Sequence, residues 1–372
     1  MNHRVRERVF GKRSGIKKVR LCRALDSPRT VAGGNKRLRS RVRMNKNRQF
    51  TFRLFVIVWL VGGFGWLRPP AVHAAEKIWR IGFLSLTTRD SFHDGFFAGL
   101  KELGYAQGRN FTLESRVAAA NERRVAEVAA QLARLQVDVI VARGTQATLA
   151  AKKATATIPI VMTGSSDPVG TGLVASLARP GGNVTGMSIL APDLAQKRME
   201  LLNRVLPASR VGVLWNPTNA GNVNEWAQAQ AAAKSLKMSL ISSEVRQPKD
   251  IYRAFRALDT RRIEAVVTLT DAILSSGRTE IVQLAANSRL PGMFHLRDFV
   301  DQGGLMSYGP DLHYSFYRAA YYVDRILKGA NPADMPVEQP VKFELAINLQ
   351  TAKEVGVSIP ADVLTLADKV IK

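Results

Sequence analysis

From residue 78 onward, short apolar runs alternate with stretches whose apolar positions fall three and four apart. The runs read as buried parallel strands and the spaced stretches as amphipathic helices. The first set predicts strands over 78–86, 111–117, 137–142, 158–162 and 184–190. Between them lie a helix over 92–104 closed by Gly104, a helical face of Val125, Val128, Ala129, Leu132 and Leu135, a helix over 146–156 and a short apolar helix over 173–178. The alternation then starts again. Helices are expected over 194–205, 222–236, 250–258, 278–288 and 299–303, and strands over 210–215, 238–245, 265–269, 292–295 and 305–308. A strongly amphipathic helix follows over 314–328, then an extended connector carrying Pro332, Pro336 and Pro340, a strand over 343–348 and a closing helix over 360–371.

Short connections between alternating strands and helices are the signature of doubly wound parallel sheets. Two successive sets predict an α/β protein of two such lobes joined by a hinge. Ligands of open α/β sheets sit outside the carboxyl ends of the strands, and here those ends are rich in small polar residues. The stretch 158–186 is the fullest example: a buried strand runs into Thr163-Gly164-Ser165-Ser166-Asp167, then proline and glycines, then a second strand. It is expected to form one lip of a cleft between the lobes.

Charge changes the picture only at the amino terminus. Residues 1–75 hold 19 Lys/Arg against Glu7 and Asp26, a net +17 of the chain's +24, which leaves the remainder mildly basic. The basic excess therefore says little about the body's partner. Arg48 and Arg53 precede an apolar run over 54–67, too short to span a bilayer, and Val72 and Ala74 supply the small residues of a cleavage site. Residues 44–75 thus read as a secretory signal peptide, cut after Ala74 or Ala75 and giving a periplasmic protein. A retained membrane anchor is the rival. Residues 1–43 read as a disordered or untranslated leader, with Met44 a normal start; a basic nucleic-acid-binding arm is the alternative. The single cysteine, Cys22, lies in that leader, so the body has neither a disulfide nor a thiolate metal site.

The chemistry offers few leads toward catalysis. His93, His295 and His313 lack metal-ligand spacing, and no P-loop, nucleophile elbow or Cys/His nucleophile is present. Gly170-Thr171-Gly172-Leu173-Val174-Ala175 nearly matches a dinucleotide fingerprint, but Pro168 and neighbouring residues separate it from its strand and it falls in the fourth β-α unit. An enzyme, a cofactor, a metal and a nucleic-acid partner are not expected.

Several stretches carry a family resemblance: Asp167-Pro168-Val169-Gly170-Thr171-Gly172-Leu173-Val174, Arg179-Pro180-Gly181-Gly182-Asn183-Val184-Thr185-Gly186, Ser307-Tyr308-Gly309-Pro310-Asp311, and Lys328-Gly329-Ala330 with Pro332-Ala333-Asp334-Met335-Pro336-Val337. With them the body resembles ABC-transporter substrate-binding proteins of the type I periplasmic-binding fold, in the TrpX-like branch. The resemblance implies a monomeric receptor that closes over a small amino-acid-like or carboxylate solute and delivers it to an ABC permease of the inner membrane. It also implies lobes built from 78–190 with 311–330 and from 191–310 with 331–372. Matching strand-end loops nominate Ser85, Thr87, Gly144, Thr145, Thr163, Ser165 and Asp167 in the first lobe, and Asn216, Asn222, Asp271 and Tyr308 in the second. By the same analogy Thr145, Thr163 and Ser165 take an α-carboxylate and Asp271 an α-ammonium.

Each nomination has a plainer counterpart. Thr145, Asp167 and Asp271 also suit helix caps, Asn216-Pro217 suits a turn, and Tyr308, Trp215 and Trp226 suit packing. A sensor of the same fold that reports ligand occupancy to a signalling partner is the alternative function, and a DNA regulator using the basic leader is a third, requiring a cytoplasmic protein.

Overall fold

The computed structural model describes residues 77–87 and 92–372. The leader, the signal peptide and the strand-end residues Thr88 and Arg89 lie outside the described residues. The first sheet is five-stranded, ordered β2-β1-β3-β4-β5 and parallel throughout. Its strands are β1 (Trp79–Ser85), β2 (Phe111–Val117), β3 (Val139–Arg143), β4 (Ile160–Ser165) and β5 (Val184–Ser188), with helices α1 (Phe92–Glu102), α2 (Glu122–Arg134) and α3 (Gly144–Ala154) between them. The sheet is buried on both faces; β3 and β5 expose no residue.

Helix α4 (Ala191–Val205) leads into a seven-stranded sheet ordered β12-β11-β10-β9-β8-β6-β7. The strands are β6 (Arg210–Trp215), β7 (Ser239–Glu244), β8 (Ala265–Thr268), β9 (Gly292–Phe294), β10 (Met306–Pro310), β11 (Phe343–Asn348) and β12 (Lys369–Ile371). Helices α5 (Ala220–Ser235), α6 (Asp250–Asp259), α7 (Ala272–Ser276), α8 (Arg278–Asn287) and α9 (Arg297–Asp301) connect them. Only β11 runs against its neighbour β10. After β10 the chain crosses back: α10 (Leu312–Leu327) packs on α1 and on β4 and β5 of the first sheet. Glu338 still pairs beside β5, so the return to the second sheet comes between Glu338 and β11. Helices α11 (Leu349–Glu354) and α12 (Ala361–Thr365) close the fold.

The α1–α10 contact is close because α1 carries Gly95 and Gly99 on one face. A Cβ on Gly99 would lie 2.6 Å from the Tyr317 carbonyl oxygen and 2.8 Å from the Ala320 Cβ. Backbone cannot yield as a flexible side chain can. Gly99→Ala should therefore cost about 1–3 kcal/mol, the usual range for overpacking a tight core, read as a lower midpoint in urea with an unchanged slope.

Two expectations from the pattern differ from the structure. Residues 173–178 are bent, irregular chain, not a helix: the amide of Ala175 bonds the Pro180 carbonyl and that of Val337 the Leu177 carbonyl, so the segment follows its neighbours instead of coiling. The closing helix over 360–371 stops at Thr365, because Lys369–Ile371 pairs with β11 as an edge strand.

Candidate functional site

Where strand order reverses in a parallel sheet, the loops on either side diverge and leave a crevice. In the first sheet this falls between β1 and β3, and in the second between β6 and β8. The two crevices face each other. Between them lies a narrow cleft with about 50 Å³ of free space. Its polar wall includes Arg143, Gly144, Thr145 and Gln146 from the end of β3 and start of α3, and Asn219, Thr270, Asp271 and Ser275 from the second sheet. Leu86, Ile189, Leu296, Leu312 and Phe316 make an apolar wall.

Arg143 ends β3, 6% exposed, with Nη1 donating to Thr87 Oγ1 at 2.9 Å. Thr145 accepts from the Ser166 amide at 3.0 Å, tying the β3 loop to the β4 loop. Gly164 has φ +71°, and the β4–β5 register shifts between Thr163 and Ser165. A residue with a Cβ is disfavoured there. The bulge breaks simple alternation: Thr163, Gly164 and Ser166 line the cleft, while the Ser165 hydroxyl turns to Thr148 Oγ1, 3.3 Å away.

On the opposite wall Asp271 caps α7. One carboxylate oxygen accepts from the amides of Ile273 (2.7 Å) and Leu274 (3.4 Å), and the other from Asn219 Nδ2 (2.8 Å) and Asn216 Nδ2 (3.2 Å). Burial holds its pKa above the usual carboxylate range, and these four donors offset part of that rise. Every partner is a donor, so the site is built for the carboxylate ion. Behind Asp271 sits His295, fully buried, with Nδ1 and Nε2 each 2.8 Å from the hydroxyls of Thr268 and Ser275. Burial, then the charge of Arg198, hold its pKa well below the usual histidine range, so the ring is neutral and no carboxylate orients it as a catalytic base.

Beneath these loops lies a fully buried ion pair. Arg198 Nη1 meets Glu225 Oε1 at 2.8 Å, and Arg198 Nε donates to the Tyr308 carbonyl. Glu225 also accepts from the Thr270 amide and hydroxyl, each at 2.9 Å, and from Asn222. The pair thus holds Thr270, a cleft residue, to helices α4 and α5.

Of the sequence nominations, Gly144, Thr145, Thr163 and Asp271 meet at the cleft. The others lie around it and do not line it. Ser85 bonds the carbonyl and amide of Thr87 in the turn after β1, and Thr87 holds Arg143. Asn216 and Asn222 are buried struts: Asn222 accepts from the Asn216 amide and donates to the Thr270 carbonyl. Tyr308 gives its carbonyl to Arg198 and packs its ring near Phe343. Trp215 and Trp226 stack on one another, 5.3 Å between ring centres. Residues 168–172 are turn with no helix behind them, so the near-match to a dinucleotide fingerprint lacks the helix amino terminus a pyrophosphate needs. Arg143, Gln146, Ser166, Asn219 and Ser275 were not nominated. Each lies within four residues of one that was.

Asp167 has a different position. One oxygen takes the Gly170 amide at 2.8 Å, and the other takes Asn224 Nδ2 from α5 at 2.7 Å. That bond joins the first-sheet lip to the second-sheet helix. Gln146 and Thr218 meet across the same seam at 3.4 Å, and a Cβ on Gly221 would come within 2.6 Å of Ser166. The lobes are shut along this rim. Breaking the clasp with Asn224→Ala should raise the ligand off-rate about five- to tenfold, the equivalent of about 1–1.4 kcal/mol. Selectivity among ligands should stay unchanged, as stopped-flow displacement would show.

Two facing sheets whose crevices enclose a half-polar, half-apolar cleft define a solute-binding protein. The chain belongs to the ABC transporter substrate-binding protein family, which it matches over residues 77–371. It is similar to the tyrosine-binding protein of Clostridioides difficile, 28% identical over 266 residues that cover 71% of this chain and 76% of that one. Among solved structures it superposes on a conserved domain protein from Vibrio cholerae at TM-score 0.75 with 29% identity. It also superposes on an ABC domain from Streptococcus pneumoniae in complex with L-Trp, at TM-score 0.74 with 28% identity. Each match covers 79% of this chain and all of the other. The chain is thus the solute-binding component of an ABC transport system.

Proposed function

We propose that this protein is the periplasmic receptor of an amino-acid importer: its lobes shut on one amino acid with an apolar or aromatic side chain, and the shut form docks as a monomer on its permease. The carrying observation is the charge layout of the cleft. Among the described lining residues Arg143 is the cation and Asp271 the anion, and they come from opposite sheets. A zwitterion spans such a gap with its α-carboxylate toward Arg143 and Thr145 and its α-ammonium toward Asp271; the Thr163 hydroxyl is turned to the Ala142 carbonyl. Its side chain then lies against Leu86, Ile189, Leu312 and Phe316. The L-Trp bound by the streptococcal protein and the tyrosine that names the clostridial one are ligands of this kind.

Export by the 44–75 segment, cut near Ala74, supplies the compartment, and the lobes take the division drawn from the sequence except for the later return beyond Glu338. No bond is made or broken at the site: both His295 ring nitrogens are taken by the hydroxyls of Thr268 and Ser275, and the Ser275 hydroxyl donates to the carbonyl of Asp271. Three or four charge-assisted hydrogen bonds of about 1.5–3 kcal/mol each, less ordering costs, suit a micromolar ligand near −8 kcal/mol. Isothermal titration with the natural amino acids tests the reading. Micromolar binding of an apolar or aromatic member supports it, and a well-folded protein that binds none contradicts it.

A further inference from the structure

If the ligand is an amino acid, as proposed above, its ammonium needs hydrogen-bond acceptors on the second-sheet wall. Asp271 supplies charge there but no open acceptor site. A carboxylate offers about four lone-pair positions, and four donors fill them: the amides of Ile273 and Leu274 on one oxygen, Asn216 and Asn219 on the other. One helical turn further on, Ser275 lines the same cleft. Its hydroxyl donates to the Asp271 carbonyl at 2.8 Å, which uses its only proton. His295 Nε2 stands 2.8 Å from the same oxygen.

The tautomer of His295 follows from satisfying every group. With the proton on Nε2, the ring donates to Ser275 and its Nδ1 accepts from Thr268 Oγ1. Thr268 Oγ1 in turn accepts from the His295 amide at 3.3 Å. With the proton on Nδ1, the Thr268 hydroxyl loses its acceptor, and Ser275 must release the Asp271 carbonyl to serve Nε2. The first arrangement satisfies all partners of this buried cluster. It fixes Ser275 as an acceptor: one lone pair takes His295 Nε2–H and the other remains.

We propose that Ser275 is the direct hydrogen-bond acceptor for the ligand's α-ammonium, locked in that role by His295, while Asp271 acts through its charge alone. The ligand group that meets Ser275 is therefore a donor. Asp271, by this account, positions α7 and supplies the field.

The test uses the full exported protein, its tightest-binding amino acid, and the analogue in which hydrogen replaces the α-amino group. Titration calorimetry should show the wild type preferring the amino acid. Ser275→Ala should weaken the amino acid about tenfold and leave the des-amino analogue within about twofold, so the preference shrinks. His295→Leu, which removes the donor to Ser275 but keeps the serine hydroxyl, should reduce the preference by a smaller factor. Ser275→Cys, a weaker acceptor of similar size, gives a second readout if the alanine variant does not fold. A wild type that binds amino acids together with a Ser275→Ala variant whose preference is undiminished overturns this role and leaves the amino-acid reading standing. A wild type that binds no amino acid overturns both.

Discussion

Glu225→Ala is expected to cost about 3–5 kcal/mol of folding stability, the range measured when one partner of a buried pair is removed. Alanine strands the Arg198 guanidinium, fully buried between α4, α5 and the β10 carbonyl of Tyr308. It also strips acceptors from Asn222 and from the Thr270 amide and hydroxyl. Burial already pushes Glu225 upward and Arg198 downward from their ordinary pKa values, and their mutual attraction opposes both shifts. A body of this size loses about 2–4 °C of Tm per kcal/mol, so the midpoint should fall by about 10 °C. Glu244→Ala is the contrast. Its pair with Arg246 is also 2.8 Å long, but both side chains are about half exposed, and such pairs contribute below about 1 kcal/mol. Equal losses for the two variants, measured by urea unfolding, would show that burial is not what makes the inner pair matter.

Arg143→Met is expected to weaken the ligand about 100-fold with little change in specificity for the side chain. The factor corresponds to about 2.7 kcal/mol, within reach of one charge-assisted interaction in a desolvated cleft. The decarboxylated amine analogue separates this role from simple damage: it should bind wild type and Arg143→Met equally weakly. Arg143→Lys should restore only part of the loss, since a point charge cannot match a planar fork on a carboxylate while holding Thr87. A decarboxylated analogue that loses as much affinity as the amino acid would instead mark Arg143 as structural.

The sheets were legible because buried parallel strands write themselves as apolar runs, and the strand-end loops because small polar residues follow those runs. The cleft was legible in outline: four of its lining residues, Gly144, Thr145, Thr163 and Asp271, stand where strands end. The finer choices depended on features with no sequence period. The bulge at Gly164 turns Ser165 away and brings Ser166 in. Arg143 looks like an ordinary charged residue until its burial is seen. Asn216 and Asn222 are as polar as any ligand contact, yet they are spent on Asp271 and Thr270. The segment 173–178 had the composition of a helix, but Pro168, Pro180 and neighbouring glycines let tertiary hydrogen bonds decide its path. The last edge strand was hidden because three residues carry too little pattern to outweigh an adjoining helical stretch.

The most direct measurement is a crystal structure of the exported protein with its tightest-binding amino acid. The account predicts one molecule between the two sheets, its carboxylate on Arg143, its ammonium beside Ser275 and Asp271, and the Asp167–Asn224 clasp closed. A ligand seated elsewhere, or a cleft filled by the protein's own side chains with no space for a solute, would contradict it.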